Sequence, residues 1–278
     1  MIQPVICFGQ QPCGFFPKRF LVAKINTARA LQKEIGGKIV FFYHDSDADY
    51  RETITIMRDK TTGDEVRLNF TQENKLQKKH SPLYLKRIPG NWKEETLKQL
   101  PRFISSSPLP LLSDLALAKL EGEGQGEGLM EIFKSVNSKF VADFCLQMYQ
   151  KMGLLDGIEV VRSSDKNFRK SAIDILEGFA DIEYQGEIVR AKIGKDKLSL
   201  HEGGTVYTYL PKPDKISKEQ INAGKDERFG WMNSVIHCTH YILGEGEKNY
   251  LKTLDFPEVK FIDRQQIEQA DYAWISDN

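Results

Sequence analysis

Cysteine is scarce and unpatterned in this chain. Cys7, Cys13, Cys145 and Cys238 are irregularly spaced and form no C-x-x-C pair. That spacing excludes a disulfide framework, and four such residues in a long chain read as reduced thiols in a reducing cytosol. A surplus of charge is missing too. Lys plus Arg and Asp plus Glu each number 39, so no bulk field draws the chain to nucleic acid or to an anionic membrane. There is no Lys/Arg run of the length a nucleic-acid patch needs. No apolar run approaches the roughly 20 residues of a membrane span, and the N-terminus lacks the basic stretch and apolar run of a secretory signal. The expectation is a soluble, cytoplasmic protein whose partners are small molecules, with no nucleic acid and no membrane.

What is present is a core-forming chain patterned as α/β. Val5 to Phe8 is a short continuous apolar run, as in a strand buried on both faces. Phe20, Leu21, Ala23, Lys24, Ala28, Leu31 and Ile35 follow with helical spacing. Gly36-Gly37 ends that helix, and KIVFFYHD supplies a second β-rich run. Strand, loop, helix and strand make a βαβ unit, which predicts a mainly parallel twisted sheet with helices on both faces. Thr53 to Arg58 and Glu65 to Phe70 read as paired strands around TTGD. Leu111 to Leu120 has helical character, and EGEGQGEG at 121–128 reads as a surface loop or linker. Leu129 to Met152 is the longest helical pattern, with Gly153 as its stop. Ile158 to Val161 reads as a strand and DKNFRKSAIDILEGF as a helix. EIVRAKI, KLSLHEG and TVYTYL form a small β-rich excursion, ISKEQINA begins a helix, and SVIHCTHYIL and FPEVKFIDR are strands. The predicted organisation is one α/β domain over 1–278, with an inserted subregion around 53–128.

Three segments carry candidate chemistry. The first is Gly9-Gln10-Gln11-Pro12-x-Gly14, between strand and helix. A helix N-terminus there would offer unpaired amides and partial positive charge to a phosphate or carboxylate, with Lys18 and Arg19 adding formal charge. The pattern is neither G-x-G-x-x-G nor a P-loop, and a loop shaped only by glycine and proline accounts for it equally well. The second is His44-Asp45-Ser46-Asp47-Ala48-Asp49, followed by Arg51 and Glu52, at the C-terminal end of the second strand, where open α/β sheets bind ligands. A calcium loop is excluded, because Tyr50 and Ile56 stand where Gly and Glu are required. Carboxylates here suit an amine or sugar hydroxyls; the plain alternative is a solvated strand end. The third is Gly244-Glu245-Gly246-Glu247, where two glycines let backbone approach a ligand, or where an ordinary turn enters a helix. His237 and His240 with Cys238 do not make a zinc site, because in a strand the two histidines face opposite sides. Lys215-Ile-Ser-Lys218 is similar to a synthetase lysine loop, but Ser217 with Gln220 reads as a capping box. No metal site is expected.

Taken together, GQQP with Lys24 and Thr27-Ala28, FFYHDSDADYRE, DGIEVVRSSDKNFRKSA, and ERFGWMN followed by YILGEGEKNY resemble, in that order, the bacillithiol synthase family. The resemblance implies a Rossmann-like core and a ligase that joins the carboxyl of cysteine to the amine of a glucosaminyl-malate-type substrate, an amino-sugar acid. It leaves the cofactor open, with ATP or another nucleotide as the candidate. It implies catalytic roles for Asp47 and Asp49, and substrate-binding roles for Gly9, Gln10, Gln11, Lys24, Glu52, Arg228, Gly244, Gly246 and Glu247. The family has a histidine where this chain has Ala48, so His44 is the nearest substitute and joins the catalytic candidates. The resemblance is to a shortened core. A non-catalytic or repurposed homologue that binds a nucleotide or an amino-sugar acid is the alternative. A nucleotidyl transferase is weaker, since the first loop holds no histidine-rich motif.

Overall fold

The computed structural model describes residues 3–72, 74–104, 125–175 and 177–275. In chain order its elements are β1 (Val5–Gln10), α1 (Arg19–Ile35), β2 (Lys38–Tyr43), β3 (Thr55–Arg58), β4 (Glu65–Leu68), α2 (Lys75–Lys79), α3 (Trp92–Gln99), α4 (Gln125–Ser135) and α5 (Val141–Lys151). Then come β5 (Ile158–Arg162), α6 (Lys166–Ser171), β6 (Phe179–Tyr184), β7 (Glu187–Ile193), β8 (Lys197–Gly203), β9 (Val206–Pro211), β10 (Ile221–Asn222), α7 (Arg228–Ile236), β11 (His240–Leu243), α8 (Glu245–Lys248) and β12 (Lys260–Asp263).

Five strands form a parallel sheet in the order β12-β11-β1-β2-β5. Both faces are covered because both faces of each strand are apolar. On one face Ile6, Phe8, Ile39, Phe41 and Ile158 pack against α1, α4 and α5. On the other, Cys7, Val40, Phe42 and Tyr241 pack against Phe168 of α6 and Phe229, Trp231 and Met232 of α7. Phe8 and Phe41 stack with centroids 4.9 Å apart across neighbouring strands. The expected α/β class and helix-flanked parallel sheet are therefore present. The crossover from β2 to β5 carries the β3–β4 hairpin, and the crossover from β5 to β11 carries a second, antiparallel sheet in the order β10-β6-β7-β8-β9. That sheet has its own core of Ala180, Ile182, Val189, Ala191, Leu198, Leu200 and Leu210.

Several sequence boundaries move, each for a local reason. The long pattern from Leu129 splits into α4 and α5, because the Phe140 amide donates to Ser138 Oγ and the chain leaves the helix there. Residues 125–128 of the presumed Gly/Glu linker open α4, while 111–124 lie outside the described residues. The helix at DKNFRKSA is capped by Asp165 and stops at Ser171, before the β-branched Ile173 and Ile175. The residues beyond it supply β6, a strand the sequence reading missed. ISKEQINA makes only a single turn at Lys218–Gln220, closed by the expected Ser217/Gln220 box, because Ile221 and Asn222 pair with β6 instead. SVIHCTHYIL is the end of α7 followed by β11. His237 closes the helix in the left-handed region at φ 51, outside any strand.

Candidate functional site

The sheet order reverses between β1 and β11, so the connections leaving their C-terminal ends run in opposite directions and leave a gap. A cleft of about 580 Å³ opens at that place. Gln10 and Gln11 line it from the end of β1, Lys24 from α1, Asp47, Asp49 and Glu52 from the segment after β2, Arg228 from α7, and Gly244, Gly246 and Glu247 from the turn after β11. Gly9 and His44 line a smaller cavity of about 60 Å³ that shares Gln10, Gln11, Arg228, Glu247 and Tyr250 with the cleft. Every residue to which the resemblance gives a role, together with His44, thus lies on one of two adjoining hollows.

Lys24 ties two of the three segments together. Its side chain is 2% exposed; Nζ donates to the Gly9 carbonyl at 2.7 Å and meets Glu247 Oε2 at 2.6 Å. The Glu247 carboxylate also accepts from the Gly244 amide at 2.7 Å and from the Tyr241 hydroxyl at 2.7 Å. Gly9 has no room for a side chain, since a Cβ would stand 2.8 Å from the Tyr241 hydroxyl. At Gly246 a Cβ would meet nothing within 4 Å. That glycine leaves its backbone bare toward the cleft without being demanded by packing.

The acidic segment divides its carboxylates among different tasks. Asp45 is fully buried and accepts from Arg162, Ser163 and Ser164, which pins the segment to the end of β5. Asp47 accepts from Arg228 at 2.9 Å and Gln11 at 3.3 Å, and Arg190 of β7 lies 3.8 Å away. Burial works to raise its pKa, but Arg190 and Arg228, with the Ala48 amide, outweigh it and hold the carboxyl well below the usual range. Asp47 therefore stays ionised and positions Arg228; as a proton acceptor near neutral pH it is too weak a base. Asp49 pairs with the exposed Arg51 at 2.6 Å. The Glu52 side chain makes no hydrogen bond or ion pair within contact distance among the described residues, and burial raises its pKa. Of the cleft's carboxylates it is the one suited to exchange a proton. His44 is 1% exposed, and burial, reinforced by Arg228, pushes its pKa well down, so the imidazole is neutral.

One expectation for the first loop fails. The amides that open α1 are not offered to a ligand: Arg19 N donates to the Tyr272 carbonyl at 2.9 Å and Phe20 N to the Ala270 carbonyl at 3.1 Å. Lys18 and Arg19 are buried under the same C-terminal segment, where Lys18 lies 3.8 Å from Asp271 and Arg19 bonds Gln269. The helical spacing expected after Glu247 ends with α8 at Lys248, before Tyr250 and Leu251. Besides Lys24, the cations among the described residues that line the cleft are Arg228, Lys225 and Arg264. Lys225 extends over the Tyr250 ring at 4.3 Å. Arg190 was invisible in the sequence, because one arginine in an alternating strand has no partner that spacing can reveal. Among the described residues, no group of three or more His, Cys, Asp or Glu side chains is arranged to hold a metal, and no helix is long and apolar enough to cross a membrane.

Lys86 braces the acidic segment from beneath. It is 1% exposed, and its Nζ donates to the Ala48 carbonyl at 2.7 Å and the Lys78 carbonyl at 2.8 Å. Burial pushes its pKa down to about 7, against the pull of Asp47 and Asp49. The unfolded chain then holds more protons than the folded one between pH 7 and the ordinary lysine range, so stability rises with pH across that window. Relative to Lys86→Met, the wild-type protein is expected to gain about 2 kcal/mol between pH 7 and pH 9. Above pH 9 the buried thiols, whose pKa values are raised, act in the opposite direction. Urea unfolding at pH 7, 8 and 9 checks this; parallel curves for the two proteins would show that Lys86 stays charged.

No protein-family model and no curated protein matches the chain. Its class therefore rests on the fold and the cleft just described: an α/β protein with a helix-flanked parallel sheet and a hollow at the point of strand reversal.

Proposed function

We propose that this chain is a ligase-like enzyme of the bacillithiol synthase type, which joins the carboxyl of cysteine to the amine of a glucosaminyl-malate-type substrate. The observation that carries the reading is the meeting of the segments after β1, β2 and β11 at one cleft where the strand order reverses. That is the place at which doubly wound sheets take their ligands. The strand order, read from β5 to β12, is compatible with a doubly wound sheet and so supports the Rossmann-like core that the resemblance implies.

The roles follow from the state of each group. Arg228 is fixed by Asp47 through one nitrogen, while its Nε is buried and has no partner among the described residues; with Lys225 it faces a carboxylate or phosphate. Glu52 accepts the proton that the attacking amine loses as the C–N bond forms. Asp49 lies on the same wall and suits an amine or sugar hydroxyls. A nucleotide such as ATP would give the carboxyl its leaving group, and Lys225, Arg228 and Arg264 are the residues placed to hold its phosphates. A second reading has one observation in its favour. Asp47 is consumed by its arginine partners and Ala48 has no acid–base chemistry, which suits a homologue that binds a nucleotide or an amino-sugar acid without turnover.

Thermal stabilisation by ATP, by cysteine and by glucosaminyl-malate, followed by mass spectrometry of the mixture, decides between them. An amide product that depends on cysteine and disappears in Glu52→Gln supports the enzyme. Binding without product supports the second reading, and no stabilisation by any of the three overturns both.

A further inference from the structure

The cleft floor has a chamber beneath it. Phe42, Phe229, Met232 and Leu251 give the 60 Å³ cavity apolar walls, and Gln10, Gln11 and Arg228 stand where it adjoins the cleft. Of its polar lining groups, Tyr241 and Glu247 are hydrogen-bonded to each other, and His44 stands apart from them. The His44 ring is stacked on Phe42 at 5.7 Å, it is 1% exposed, and neither ring nitrogen has a hydrogen-bond partner among the described residues. A buried polar group without a partner is costly. It is also uncommon beside a cavity that a ligand group can enter.

We propose that this cavity is the specificity pocket for the ligand's side chain, taking a small uncharged group that ends in a thiol or hydroxyl and hydrogen-bonds His44. The proposal rests on the reading of the cleft as an amino-acid site. Size sets the first limit: at roughly 10–15 Å³ per water-sized atom, the chamber holds about four to six non-hydrogen atoms. Charge sets the second. Arg228, held by Asp47, is committed to the ligand's carboxylate or phosphate in the cleft, and Glu247 is paired with Lys24, Tyr241 and Gly244, so neither is left to neutralise an ionised side chain taken out of water. Chemistry sets the third. A neutral imidazole has one donor and one acceptor nitrogen, and a thiol or hydroxyl can answer either. The apolar walls favour the thiol over the more strongly hydrated hydroxyl.

The test is calorimetric titration of the full chain with L-cysteine, L-serine, L-2-aminobutyrate, L-phenylalanine and L-aspartate, repeated on His44→Phe. Cysteine is expected to bind best, and phenylalanine and aspartate at least tenfold more weakly. His44→Phe should lower cysteine and serine affinity about fivefold to tenfold, the loss of one hydrogen bond, and leave 2-aminobutyrate unchanged. Should that variant fail to fold, the imidazole nitrogen resonances of the labelled wild-type protein give the same answer: they should shift when cysteine is added. Affinities indifferent to the side chain, or His44 resonances unmoved by a bound amino acid, would overturn the pocket and leave the cleft standing. Binding of none of the five would overturn the amino-acid reading of the cleft and the pocket with it.

Discussion

Replacing Lys24 by methionine is expected to destabilise the protein by about 3–5 kcal/mol, because it leaves the Glu247 carboxylate, only 16% exposed, without its cation. The same change removes the donor from the Gly9 carbonyl. The loss should not be read as the worth of the ion pair. Two charges taken out of water repay little, and most of the cost comes from stranding one of them. A double-mutant cycle makes the distinction. Lys24→Met with Glu247→Gln removes both charges; the glutamine oxygen can still accept from the Gly244 amide, while its NH2 donates to the Tyr241 hydroxyl oxygen. The double variant is expected to recover about half of the single loss, with a coupling of roughly 1–3 kcal/mol. Denaturant unfolding of the four proteins gives the numbers. If Lys24→Met alone costs less than about 1 kcal/mol, a value typical of exposed pairs, the pair is solvated and does not hold the turns after β1 and β11 together.

The parts of the fold that the sequence made legible are those built from local patterns. The first βαβ unit was readable because its strands are continuous apolar runs, its helix has a clear stripe, and Gly36 and Gly37 stand at φ 71 and 93 where the helix must end. The β3–β4 hairpin and the β7–β8–β9 meander were readable from alternation and turn residues. What was hidden depended on contacts distant in sequence. β10 and the truncated helix before it exist because β6 offers hydrogen bonds to Ile221 and Asn222, which no local propensity encodes. The opening of α1 looked like a free anion site, yet carbonyls some 250 residues further along take its amides.

The candidate site divides in the same way. The glycines, glutamines and acids of the three segments could be picked out by position at strand ends, and the structure brings them to adjoining hollows. Their individual states could not. Asp45, Asp47, Asp49 and Glu52 look interchangeable in the sequence, but one anchors a strand end, one holds an arginine, one pairs at the surface and one is left bare. The deciding partner, Arg190, comes from the antiparallel sheet, which the sequence presented as a mere excursion. It is held there by Asn222 at 2.7 Å, the Ala223 carbonyl at 3.1 Å and the face of Phe179. The second sheet therefore does chemical work, because it delivers a guanidinium under the acidic segment.

Asp47→Asn should test that arrangement with an effect of similar size. The amide keeps the shape of the carboxylate but leaves Arg190 and Arg228 facing one another with no negative charge between them, and a loss of about 3–5 kcal/mol is expected near neutral pH. The pH dependence fixes the cause. Because the folded-state pKa of Asp47 lies well below that of the unfolded chain, its contribution is fully present above the ordinary aspartate range and is lost as pH falls toward the folded value. The gap between wild type and Asp47→Asn should thus be constant from pH 5 to 7 and narrow below about pH 4. Loss of the carboxylate also frees Arg228 from its fixed position, so affinity for a carboxylate ligand should fall even though Asp47 does not touch that ligand. A variant as stable as the wild type at pH 7, with ligand affinity intact, would mean that solvent screens the two guanidiniums. The cleft would then lack the fixed positive group on which its proposed chemistry depends.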